Sequence, residues 1–157
     1  MTKGFRADPD ISLPSTILYY WKGTDMRKAL ADFLKRSGLK IPDPKLLDEL
    51  LKESHLTRAQ IETLLIELGA INLGLKLSVE EKARLRGVTK GAYSRTKRQA
   101  IDNIRKSIYT IMLLRLLGIF GDEAMASILE ASNLLVMGRF DEAVTVLRSV
   151  TSCDVTR

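Results

Sequence analysis

The chain has 157 residues, 45% of them hydrophobic and 28% charged, with 25 Lys and Arg against 19 Asp and Glu. That is the usage of a globular chain able to bury a core, and the net charge of +6 favours an anionic partner. The longest apolar run, residues 111–120, is broken by Arg115 and falls short of the ~18–20 residues that cross a bilayer. No charged start leads into an apolar signal segment, and the single Cys153 allows no internal disulfide, so a reducing, cytoplasmic compartment is expected.

Residues 1–23 show no helical period and are punctuated by Pro9 and Pro14. They read as a flexible leader or arm whose Tyr19, Tyr20 and Trp21 pack on the domain rather than stack on nucleic-acid bases. Thr24 then caps a helix that carries Met26, Ala29, Leu30, Phe33 and Leu34 and ends near Ser37, with Gly38 just beyond. Asp43 and Pro44 are a cap and first-turn pair for a second helix, with Leu46, Leu47, Leu50 and Leu51 on one face. Thr57 and Gln60 form the capping box of a third, which is expected to bury Ile61, Leu64, Leu65 and Leu68 and to stop at Gly69. Residues 70–77 alternate apolar and smaller positions, but a single strand has no partner here, so they read as a loop.

Ten of the 25 Lys and Arg fall within residues 76–106, opposed there only by Glu80, Glu81 and Asp102. The stretch nets +7 and the rest of the chain −1, so the basicity is one local patch. Within it, Ser78 and Glu81 make a second capping box, opening a short helix with the small Ala83 where a neighbour would cross. Gly87 ends that helix with a left-handed residue, Val88 is the apolar turn residue, and Thr89 caps the next helix. Short helix, glycine turn and second helix are the parts of a helix-turn-helix spanning residues 78–106.

Those residues, together with Lys90, Gly91 and Ala100, resemble the helix-turn-helix of bacterial sigma-factor region 4, and the capped helix from residue 56 to 69 resembles that family's lead-in helix. The resemblance covers about 50 residues. It implies double-stranded DNA as the partner, with the helix that begins at Thr89 as recognition helix and Thr89, Lys90, Ala92, Ser94, Arg95, Arg98 and Gln99 nearest the DNA. Arg95 or Arg98 suits guanine and Gln99 suits adenine. Lys76, Arg84, Arg86, Lys90, Arg105 and Lys106 suit phosphate contacts, which position without specifying. Lys82 and Lys97 stand where the family carries apolar residues, and are expected to lay their stems across the core edge with the charge in water.

On a helical wheel the second helix places Tyr93, Ala100, Ile101, Ile104, Ile108 and Ile111 inward and Arg95, Arg98, Gln99, Asp102 and Lys106 outward. The helix is expected to run to about Leu117. Residues 108–117 are apolar on most sides and require burial by the chain's own helices or by a second subunit. Two further helices, about 122–137 and 140–150, form a C-terminal αα-hairpin. Gly138, Arg139, Phe140 and Ala143 resemble half of one tetratricopeptide repeat, a single copy that reads as a plain hairpin.

The expected architecture is all-α, in three parts: the leader 1–23, a helical domain 24–117, and a hairpin 118–157 for packing or dimerisation. A homodimer matches the two-fold symmetry of palindromic sites. The expected function is sequence-specific binding of double-stranded DNA by a transcriptional regulator. The alternatives are an adaptor for an acidic protein, such as an RNA polymerase subunit, and a structured-RNA-binding protein. A lone His55, a tail Cys153, scattered carboxylates and the lack of a phosphate-binding glycine loop lead us to expect no enzyme, cofactor or metal. Only five Asn and Gln occur, beside abundant Lys, Arg and Glu, a thermophile-like composition.

Overall fold

The computed structural model describes residues 28–39 and 44–152. The leader with its aromatics, the caps expected at Thr24 and Asp43, Met26 and Cys153 lie outside the described residues. Among the described residues the chain forms seven α-helices and no strand: α1 (Lys28–Arg36), α2 (Pro44–Glu53), α3 (Arg58–Asn72), α4 (Val79–Arg86), α5 (Lys90–Leu116), α6 (Asp122–Val136) and α7 (Phe140–Ser152). No described helix is long and apolar enough to cross a membrane. The chain divides into two compact units, residues 1–104 and 105–157, and the division falls inside α5.

In the first unit Leu30, Phe33 and Leu34 of α1, Ile66 and Ala70 of α3, Ala83 of α4 and Tyr93 of α5 bury one another. Leu65, Leu77, Leu85 and Val88 pack around them. Both ends of the α3 box form: Thr57 N–H donates to Gln60 Oε1 at 3.1 Å, and Gln60 N–H to Thr57 Oγ1 at 3.2 Å.

Two expectations for α3 are corrected. The helix does not stop at Gly69; it runs to Asn72 and turns at Gly74, where Gly74 N–H donates to Ile71 O and Leu75 N–H to Ala70 O. Gly69 is instead a crossing point. A Cβ built on it would lie 2.7 Å from Phe33 Cε1 and 3.2 Å from Ser37 Cβ. The buried face is also rotated from the expected one: Gln60, Thr63, Ile66, Gly69 and Ala70 are buried, while Leu68 is 45% exposed and Ile61, Leu64 and Leu65 are half-buried. Apolar residues lie nearly all round this helix, so its leucines do not define a face. The side holding the small residues does, because only that side lets α1 approach closely. Similarly, α1 buries Ala31 and leaves Ala29 exposed.

In the second unit α6 packs along α7. Ala131 and Ala143, fully buried, are the small residues at their contact, and Leu134 and Val150 close it. Of the two expected ways of burying the apolar continuation of α5, the chain's own helices supply little. Ile108, Tyr109, Met112, Leu113, Leu116, Leu117 and Ile119 are all exposed, while Ile111 and Leu114 are half-buried.

Candidate nucleic-acid interface

The helix-turn-helix is assembled by short-range bonds. Glu81 N–H donates to Ser78 Oγ at 3.2 Å and Ser78 N–H to Glu81 Oε2 at 2.7 Å, closing the box at the start of α4. Gly87 ends α4 with φ 77°, a left-handed value that a side chain would strain. Val88 N–H then reaches back to Ala83 O at 3.0 Å, turning Val88 toward the core. Thr89 Oγ1 accepts from Ala92 N–H at 3.2 Å and caps α5. Ala83, 2% exposed, lets α4 sit close to its neighbours.

The basic patch then sorts into two sets. Three of its cations are drawn inward by carboxylates of α3. Lys82 Nζ and Lys97 Nζ both donate to Glu67 Oε2 at 3.0 Å, and the buried Tyr93 hydroxyl donates to Glu67 Oε1 at 2.9 Å. Burial pushes the Glu67 carboxyl up, but these three donors outweigh it and hold it below the usual carboxylate range. Tyr93 is pushed well above the ordinary tyrosine value, first by burial and then by the Glu67 carboxylate. Arg86 lies 3.7 Å from Glu62 Oε2, and its Nη1 donates at 3.2 Å to Thr63 Oγ1, which donates to Ala59 O. Burial raises the Glu62 carboxyl more than Arg86 and Arg58 lower it.

Lys82 and Lys97 are thus not simply snorkelling into water; they are bonded across a helix crossing. Arg86, with a side chain only 10% exposed, is a structural cation turned inward rather than the phosphate contact expected of it. Once Glu62 and Glu67 are included, the local surplus falls from +7 to +5. Neither acid stands out in the sequence, because each lies nine or more positions before the patch begins. A signal was present: they are two carboxylates on an otherwise largely apolar helix, and such acids need cationic partners when half-covered.

The second set faces outward. Arg95, Arg98 and Gln99 are exposed on α5, and the ion pairs to α3 do not reach them. Thr89 and Lys90 are exposed at its start, with Lys90 Nζ 2.6 Å from Glu80 Oε1; Ala92 and Ser94 are half-buried. Lys76 and Arg84 are exposed on the approach to the turn. Arg105 and Lys106 are exposed too, but belong to the second unit.

The inner side of α5 departs from the expected wheel. Tyr93 and Ala100 are buried, yet Ile101 is 49% exposed and Ile104 also stays in water. Asn103 does the anchoring instead: its Nδ2 donates to His55 O at 2.8 Å and to Gln60 Oε1 at 3.3 Å, tying α5 to the α2–α3 turn. His55 contributes a carbonyl there. Among the described residues no group of three or more His, Cys, Asp or Glu is placed to hold a metal ion. No protein-family model matches the chain, and no curated protein or solved structure matches it either.

Proposed function

We propose that this chain binds double-stranded DNA sequence-specifically, as a transcriptional regulator, with α5 from Lys90 onward as the recognition helix. The observation that carries the reading is the outward triplet Arg95, Arg98 and Gln99 on the helix that follows a capped glycine turn. Its companions Lys82, Lys97 and Arg86 are neutralised from behind by Glu67 and Glu62. Glu62 and Glu67 are therefore satisfied without Arg95 and Arg98, which supports giving those two to a phosphate backbone and to base edges. The sigma-like turn motif around Gly87, Val88 and Thr89 supports the same assignment.

Selection of bound sequences from a random duplex pool, followed by fluorescence anisotropy across a salt series, tests it. A recovered motif, and affinity that falls steeply with salt, are expected. Replacing Arg98 with Ala should weaken binding to the selected site by ~1–3 kcal/mol and relax preference at one position. No retention on duplex DNA at low salt, or a flat salt response, removes the proposal. Preference for folded RNA in competition, or an acidic protein that stays bound after nuclease treatment, replaces DNA with that partner.

A further inference from the structure

We propose that the second unit is a dimerisation unit, in which the C-terminal part of α5 packs against the same helix of a second copy. The exposed apolar residues fall into two neighbouring ladders at four-residue spacing: Ile108, Met112, Leu116 and Tyr109, Leu113, Leu117. Residues four apart line up on one side of a helix, so the ladders cover half of its circumference. Ile111 and Leu114, on the opposite half, are partly covered by the chain itself. The helix therefore has one side committed to its own chain and one side uncommitted.

The amount of surface sets the kind of occupant. The six large apolar side chains of the ladders, each 52% to 83% exposed, leave on the order of 800 Å² in water, beyond the ~300–600 Å² that is the largest patch of a typical monomer. That matches the ~800 Å² each partner contributes to a stable complex.

Geometry and charge then select a second copy. Ridges formed by residues four apart interdigitate with ridges of the same spacing, the commonest class of helix packing, and a two-fold axis supplies that identical ridge automatically. Residues 107–121 contain a single charge, Arg115. Its guanidinium is already paired with Asp122 and directed at Phe120 O. Within the ladders an acidic or basic partner finds nothing to pair with, and an antiparallel crossing of two copies keeps the Arg105 and Lys106 of each at opposite ends of the face. Residues 1–23 of the same chain carry no helical apolar period that would reproduce the ridge.

The test is light-scattering mass across a hundredfold range of concentration, without DNA, so the answer is independent of what the basic face binds. Twice the 17.6 kDa chain mass is expected for the wild-type chain. Met112→Glu combined with Leu116→Glu, both at exposed positions, should weaken dimerisation by about a hundredfold at unchanged helical circular dichroism, because two charges per chain would be desolvated unpaired. Hydrogen exchange of the wild-type chain at both ends of the range reads the face without any substitution; protection of residues 105–117 should rise as dimer forms. A wild-type monomer throughout, a dimer indifferent to both glutamates, or protection rising only elsewhere overturns the proposal. So does a monomer that sediments with lipid vesicles.

Discussion

Gly69→Ala sets two effects of opposite sign against each other. Alanine in a helix interior is favoured over glycine by ~0.5–1 kcal/mol, so a Gly69 that merely weakened α3 would be improved by the change. The structure requires the reverse. The new methyl would sit 2.7 Å from Phe33 Cε1, 3.1 Å from Cζ and 3.2 Å from Ser37 Cβ, where carbon pairs prefer ~3.5–4.0 Å. Phe33 is wholly buried, so its ring has no solvent to swing into. Either the ring leaves its rotamer, or α1 and α3 part and lose contacts along their crossing. Overpacking of this kind costs ~1–3 kcal/mol, which exceeds the propensity gain. A net loss of ~1–2 kcal/mol is expected, lowering the Tm by ~5–10 °C for a unit of this size. Urea unfolding followed by circular dichroism measures it, and a double-mutant cycle with Phe33→Leu isolates the contact. The Phe33→Leu change should cost clearly less on top of Gly69→Ala than in the wild-type chain. A Gly69→Ala variant as stable as the wild type, or costs that simply add, would refute the close-crossing account.

Three further outcomes follow from the sorted charges. Because Glu67 is held below its ordinary value of 4.5 in the folded chain, its contribution to stability is fully present above that pH and is lost as pH falls through the depressed value. Glu67→Gln should therefore cost stability at neutral pH, by ~1–3 kcal/mol for the weakened charged bonds, and should flatten acid unfolding monitored below pH 4.5. Arg86→Ala should lower folding stability by ~1–2 kcal/mol while leaving DNA affinity unchanged, measured by anisotropy well below the melting temperature; a loss of affinity without a loss of stability would put Arg86 back on the ligand-facing side. In the salt series, the seven outward cations Lys76, Arg84, Lys90, Arg95, Arg98, Arg105 and Lys106 bound the log–log slope at about −6 per chain, against about −9 if all ten basic residues met phosphates.

What the sequence made legible is local. The boxes Thr57–Gln60 and Ser78–Glu81, the Gly87 turn and the Thr89 cap each join residues three or four positions apart, so residue type and spacing specify them nearly completely. Longer-range features were legible only as anomalies. Lys82 and Lys97 stood out as charges on an apolar side, but their partner Glu67 lies 15 and 30 positions away, and no spacing rule links residues brought together by a helix crossing. Gly69 is ambiguous in sequence for a related reason: glycine serves both to end a helix and to let a neighbour approach, and only the position of Phe33 separates the two. The buried face of α3 is not legible in its leucines, because leucine periodicity reports what is apolar rather than which apolar side the neighbours cover. The same limit applied to Ile101 and Ile104, where the polar Asn103 holds α5 in their place.

The Glu67 carboxylate also bears on the proposed readout of DNA. It grips α5 at Tyr93 and Lys97, four residues apart on one side of the helix, so it limits the rolling of α5 about its own axis. The azimuth at which Arg95, Arg98 and Gln99 leave the surface is thus fixed from α3, a helix that presents none of the three. Changes at Glu67 should shift which base steps those side chains can reach, altering preference at a distance, with all three outward side chains intact.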